Sequence, residues 1–252
     1  MAFPSVVAIV ASLACASAAH AMGAPDCQPE DLAPVDAWLA KQPWKAGATS
    51  PQAMVAAACR LWPFDRTALI VAAAYAQDKE RDKNLVVALV DTKTMAVRSA
   101  FRGVAREDAT WSVAQGSLHI DTAPYDLAPG VRAIGVDMTS DAVAGTLVRE
   151  GVTATRSLFV PDGAHLRLVL DGLVLATWRQ DAGSPPATSS ARIALDPHRT
   201  NGFADLRITR TSTAAGTLRQ EHTTIVYDGS RYAAGTTWTR HEVEPESEAQ
   251  RR

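Results

Sequence analysis

The chain has 252 residues and a net charge of −2, its 25 basic side chains nearly balanced by 27 acidic ones. Nucleic acid and anionic membrane surfaces both select a basic face, so that balance excludes either as the principal partner. The length supports one good hydrophobic core or two small ones.

Val6 to Ala14 is almost wholly apolar, and Ala19-His20-Ala21 follows as a small-x-small site before Met22. This is the layout of a secretory signal peptide over residues 1–21. No Lys or Arg precedes the apolar run, so the α-amino group alone supplies the usual positive charge. Cys15 follows Ser12-Leu13-Ala14, a loose match to a lipoprotein site, but Ser12 stands where an apolar residue is wanted. Cleavage after Ala21 is the expectation. No other segment approaches the roughly twenty apolar residues that cross a bilayer, so a soluble mature chain with no integral membrane segment is expected. Arg well above Lys, scarce Asn and the Ala-rich leader suggest a GC-rich bacterial source, and hence a periplasmic or secreted location. With Cys15 removed, Cys27 and Cys59 remain. In an oxidising compartment they are expected to form a disulfide rather than a metal site or a thiol nucleophile, contributing roughly 3–4 kcal/mol by loop closure.

Residues 22–66 read as a helical cap of two short helices. Pro29-Glu30-Asp31 opens the first, with Leu32, Val35, Trp38 and Leu39 at helical spacing and Pro43 as its stop. Ser50-Pro51 opens the second, with Met54, Val55, Ala58 and Leu61, and Pro63 ends it. Over 67–240 the period turns strand-like, which predicts a mainly β domain: an antiparallel sheet meander of sandwich, barrel or propeller-like form. Ala68–Ala76 and Asn84–Thr92 are continuously apolar, so they should be buried on both faces. Met95–Arg102 alternates. Further strands are read at Ser117–Asp121, Val131–Met138, Thr155–Val160, His165–Arg179, Ala191–Leu195, Ala204–Arg210, Thr223–Tyr227 and Arg231–Arg240. Asp162-Gly163 and Asp228-Gly229 are tight-turn signals. The acidic tail, 241–252, is expected to be disordered.

In a meander, successive connections alternate between the two ends of the sheet. From the strand at Val131, the loops Thr139–Thr153, Gln180–Ser190 and Thr211–His222 then share one rim. Asp171-Gly172 decides this: a hairpin there flips the parity, whereas a single long or bulged strand, the reading we adopt, preserves it. Loops held by a rigid sheet are where binding concentrates.

The chain lacks a G-x-S-x-G elbow, a phosphate-cradling loop, a dinucleotide fingerprint and H-E-x-x-H, so no catalytic residue and no cofactor is assigned. His119-Ile120-Asp121 puts two polar side chains on one strand face, either an acid/base or metal pair or the solvent face of an amphipathic strand; the solvent face is the expectation. His165, His222 and His241 read as surface residues. Trp38, Trp44 and Trp62 read as core beside the cap, while Trp178 and Trp238 lie near strand ends without a matched aromatic partner.

Asp196-Pro197-His198-Arg199-Thr200-Asn201-Gly202-Phe203-Ala204-Asp205-Leu206 resembles an FG-GAP-type calcium loop. His198 and Arg199 stand where further oxygen ligands are wanted, so a turn in which Asp205 caps backbone N–H groups is expected and no metal is assigned. The hairpin from Gly202 through Thr211–Thr217 to Tyr232 resembles that of periplasmic inhibitors of invertebrate-type lysozymes. That resemblance implies a small-residue loop entering the lysozyme cleft, with Ser212, Thr213 and Gly216 as the plug. No Ser-Gly pair occupies the loop, and the chain is longer than those inhibitors. Asp121-Thr122-Ala123-Pro124-Tyr125 and Gly130-Val131-Arg132-Ala133 look similar to uncharacterised exported proteobacterial proteins. The expectation is therefore an exported, non-catalytic binding protein whose partner is a protein or cell-envelope component. A secreted hydrolase with a dispersed site, beginning from His119 and Asp121, is the competing reading.

Overall fold

A computed structural model describes residues 27–41, 53–77, 81–142, 149–180, 183, 185–214 and 216–233. The leader, Pro43, Trp44, Ser50-Pro51, Trp238, His241 and the tail at 241–252 lie outside these residues. Among the described residues one helix, α1 (Pro29–Ala40), is followed by eleven strands: β1 (Met54–Trp62), β2 (Asp65–Ala76), β3 (Lys83–Asp91), β4 (Val97–Ala105), β5 (Leu118–Ala128), β6 (Val131–Thr139), β7 (Glu150–Asp162), β8 (His165–Arg179), β9 (Ala187–Thr200), β10 (Phe203–Ala214) and β11 (Thr217–Ile225).

The expected second helix does not form. Met54, Val55, Ala58 and Leu61 belong to β1, which pairs antiparallel with β2 from Met54↔Tyr75 to Trp62↔Asp65. A short apolar run fits helix and buried strand equally well by spacing, and pairing with β2 outweighs the helix propensity of Ala and Leu. Among the described residues the cap is therefore α1 alone. Pro29 occupies its first turn beside Glu30 and Asp31, and the Asp31 carboxylate accepts the Gln28 backbone N–H at 3.0 Å. Cys27 is bonded to Cys59 with Cα atoms 4.9 Å apart, so the disulfide ties the start of α1 to the middle of β1.

The sheet runs β1-β2-β3-β4-β8-β7-β6-β5, with β9, β10 and β11 continuing from β8. All pairs are antiparallel except β4 with β8, which meet in parallel at Ala100 and His165. The chain is thus two meanders, β1–β4 and β5–β11, joined by a crossover from β4 to β5. The sheet does not close. At the seam between its ends, Arg60 Nη1 donates to the Ile120 carbonyl at 3.1 Å.

The strands β5–β8 form a central layer with an apolar core on each face. Ile134 and Phe159 face β1–β3, packing with Ile70, Ala72, Val87 and Leu89. Their neighbours Ala133, Leu158 and Val160 face the other way, toward Leu206, Ile208, Ile225 and Tyr227 of the β9–β11 lobe. This is the period of two of a strand buried on both sides. Each fully buried Leu, Ile or Phe contributes roughly 1.5–3 kcal/mol relative to exposure. As their composition requires, β2 and β3 are also buried twice: Val71, Ala73, Val86 and Ala88 lie under Leu32 and Val35 of α1.

The segment His165–Arg179 is one strand. Its register against β7 skips from Leu158↔Leu170 to Arg156↔Leu173, and Gly172 takes φ +56° while donating its N–H to Ser157 Oγ at 3.0 Å. Asp171-Gly172 is a bulge, where glycine readily supplies the positive φ. After Asp228-Gly229 the chain turns back, so that the Tyr232 N–H reaches the Val169 carbonyl at 2.6 Å and its hydroxyl donates to the Ala204 carbonyl at 2.6 Å.

Candidate functional site

Because β8 is one strand, the alternation of ends holds and extends to the whole chain. The chain passes from β2 to β3, β4 to β5, β6 to β7, β8 to β9 and β10 to β11 at one rim, and from β1 to β2, β3 to β4, β5 to β6, β7 to β8 and β9 to β10 at the other, as the strand ends require. The second set are tight turns apart from 92–96, so the long connections gather on the first rim. They are tied to one another. The Glu107 carboxylate accepts from Lys83 Nζ at 2.8 Å and from the Val113 N–H at 2.6 Å, and Asp82 accepts the Glu107 N–H at 2.9 Å. Beyond them, the Asp141 N–H donates to the Ser112 carbonyl at 2.9 Å and the Gln180 N–H to the Arg149 carbonyl at 2.6 Å. The crossover 106–117 thus lies across the first core at this rim, with Val113 buried in it.

One expected loop is not a loop. Thr211–His222 is mostly ladder: Thr211 pairs with Gln220, Ser212 with Arg219, Thr213 with Leu218 and Ala214 with Thr217. A Thr-rich segment reads as loop by its polarity, but its β-branched side chains fit a pleated strand, and a small-residue turn suffices to reverse the chain. Ser212 is half-buried, whereas Thr213, Ala214, Gly216 and Thr217 are exposed. Gly216 takes φ +79° in the turn. The three residues expected to act as a plug therefore stand at or beside the tip of a paired hairpin on the long-loop rim.

The face of the central layer that looks toward β9–β11 is apolar near the turn rim and polar nearer the loop rim. Arg156 of β7 is held there by two carboxylates. Its Nε and Nη2 donate to Asp137 of β6 at 2.5 and 2.6 Å, and its Nη1 lies 2.5 Å from Asp121 Oδ2. Nη1 also donates to the Tyr125 hydroxyl at 2.5 Å, which itself donates to Asp121 at 2.7 Å. Asp121 reaches Arg156 across Gly135, where a Cβ would stand only 3.0 Å from the Asp121 Cβ. Burial alone would pull the Arg156 guanidinium down, but the hydrogen bonds and charge of Asp137 hold it above its ordinary value. Arg210 and Glu221 are cross-strand neighbours on the inward side of β10 and β11. Burial holds Arg210 below its ordinary value, against the pull of Glu221.

The nominated pair His119 and Asp121 share a face, as alternation requires. Asp121 is committed elsewhere: besides Arg156 and Tyr125 it accepts the Ala123 N–H at 2.9 Å, and His119 stands exposed opposite Asp137. Reading along the sequence missed Asp137, Tyr125 and Arg156. The available signal was a set of ionisable side chains within apolar strands, which gains meaning only once the register joins them.

The calcium-loop segment is also self-contained. Asp205 is buried and its Oδ2 sits 2.6 Å from His198 Nδ1. Asp196 accepts the His198 N–H at 3.0 Å and Arg207 Nη2 at 2.7 Å. The cap on the backbone is thus Asp196 rather than Asp205, which binds the imidazole instead. Among the described residues, no group of three or more His, Cys, Asp or Glu could hold a metal ion.

Burial raises the hydroxyls of Tyr75, Tyr125 and Tyr232 above the ordinary value of 10.0, with Asp36, Asp121 and Asp205 respectively adding to the shift. The folded state therefore keeps protons that the unfolded chain releases above about pH 10. Their contribution is complete below that pH and is lost as pH rises further. The thermal midpoint should fall steeply above pH 10, and Tyr125→Phe should soften the fall. A midpoint flat to pH 11 would contradict this assignment.

No helix among the described residues is long and apolar enough to cross a membrane. No family model matches the chain, no curated protein matches it, and no solved structure matches its fold.

Proposed function

We propose that this is an exported, non-catalytic binding protein that grips a protein or cell-envelope partner with its long-loop rim, and that inhibition of a lysozyme is the specific form of that activity. The supporting observation is the hairpin tip: Thr213, Ala214, Gly216 and Thr217 are exposed, small and carried on a paired ladder. Small side chains let backbone groups enter a narrow cleft and lose little rotamer entropy there, and a ladder orders the tip before binding. The disulfide and the absence of a membrane-spanning helix among the described residues are compatible with export.

The competing hydrolase reading rests on His119 and Asp121. It is weakened because both Asp121 oxygens are engaged, Oδ2 by Arg156 and Tyr125 and Oδ1 by the Ala123 N–H.

The test is clearance of bacterial cell walls by chicken-, goose- and invertebrate-type lysozymes with the oxidised protein present. One class should be inhibited, and Thr213→Arg should weaken that inhibition at least ten-fold while leaving the thermal midpoint within about 1 °C, as for other exposed substitutions. Inhibition of no class removes lysozyme as the partner. Inhibition that Thr213→Arg leaves intact moves the contact away from the hairpin.

A further inference from the structure

Among the described residues β11 is bordered by β10 alone and so presents an open edge. We infer that this edge pairs with a second copy of the chain, two β11 strands meeting antiparallel about a two-fold axis at Gln220, so that one sheet runs through both copies.

The edge is suited to strand addition. Its ladder with β10 runs from Leu206↔Ile225 to Ala214↔Thr217 without a register shift. The strand Thr217-Leu218-Arg219-Gln220-Glu221-His222-Thr223-Thr224-Ile225 holds no Pro and no Lys. Bulges, prolines, lysines and inward-pointing charges are the usual devices that keep an edge from pairing; β11 carries only the last, Arg219 and Glu221, which resist any partner strand that does not match their charges.

The backbone direction follows from the turn. Ala214 and Thr217 flank a two-residue connection, and such a flanking pair exchanges its hydrogen bonds. Alternation then turns the N–H and C=O groups of Leu218, Gln220, His222 and Thr224 away from β10. These are the groups another strand would take.

The side chains select both the occupant and the register. A two-fold axis perpendicular to the sheet puts one residue opposite its own copy. With the axis at Gln220, Arg219 of each copy faces Glu221 of the other, and Leu218, exposed over 68% of its surface, faces His222. Moving the axis to Arg219 or to Glu221 sets like charges directly opposite, which is destabilising. Within each copy Arg210 neighbours Glu221 and Ser212 neighbours Arg219. The joined sheet thus gains a row of alternating charge across the interface. Such complementarity is a property of self-pairing, and an unrelated extended peptide would have to reproduce it.

Sedimentation equilibrium of the oxidised full chain over a range of concentrations should give a mass that rises to twice that of the monomer. Gln220→Pro removes an outward N–H and leaves the β10 ladder intact, so it should stay monomeric with an unchanged far-ultraviolet spectrum. Arg219→Glu sets acids opposite one another and should raise the dissociation constant at least ten-fold. Gln220→Cys should cross-link covalently under mild oxidation, whereas Thr213→Cys at the rim should not. A chain that is monomeric at every concentration overturns the inference, as does a dimer that Gln220→Pro and Arg219→Glu both leave intact.

Discussion

Arg156→Ala should lower the thermal midpoint by about 4–8 °C, which corresponds to about 2 kcal/mol for a chain of this size. The guanidinium stands between two carboxylates, and its side chain is only 16% exposed, with Asp121 at 23% and Asp137 at 18%. Removing the cation leaves two acids without their shared counter-charge, although the Tyr125 hydroxyl and the Ala123 N–H still donate to Asp121. Fully buried networks lose roughly 3–5 kcal/mol in that way. Water reaches this one, so the smaller figure applies. The decisive experiment is a double-mutant cycle with Asp137→Asn. Because both residues act through one contact, Asp137→Asn combined with Arg156→Ala should lose less than the sum of the two single changes, by about 1 kcal/mol or more. Additive losses would mean that the pair contributes little and that packing alone holds this half of the lobe.

The network also shows where a sequence stops being legible. β2 and β3 were readable because their apolar runs have no polar face, and α1 supplies the cover such runs require. The rim assignment was readable because Gly172 could serve a bulge as well as a hairpin, and the long strand preserved parity. β1 was not readable. Met54, Val55, Ala58 and Leu61 satisfy helical spacing, and only the partner strand at Val71–Ala74 decides otherwise. The parallel contact of β4 with β8 has no local signal at all, since it joins two strands far apart in the chain through a single pair, Ala100 and His165. For the same reason Arg156, Asp137 and Asp121 are three unrelated charges until β5, β6 and β7 are placed in register.

The second large effect concerns the disulfide. Replacing both Cys27 and Cys59 with Ser should lower stability by about 3–4 kcal/mol in the chain-entropy account, or about 6–16 °C in thermal midpoint. The bond closes a separation of 32 residues, and it fastens one end of the helix that covers the outer faces of β2 and β3. Apart from that bond, α1 is held by Leu32 and Val35, with Trp38 and Leu39 at its margin, and by the Tyr75 hydroxyl donating to Asp36 at 2.9 Å. The two cores on either face of β5–β8 contain no residue of α1. The loss should therefore begin locally. Amide protection in α1 should collapse first, with dye binding to the uncovered Val71, Ala73, Val86 and Ala88, while β6 and β7 remain protected. If protection instead falls uniformly across α1, β6 and β7, the helix is part of the cooperative unit. The disulfide then holds the whole fold and not merely its cover.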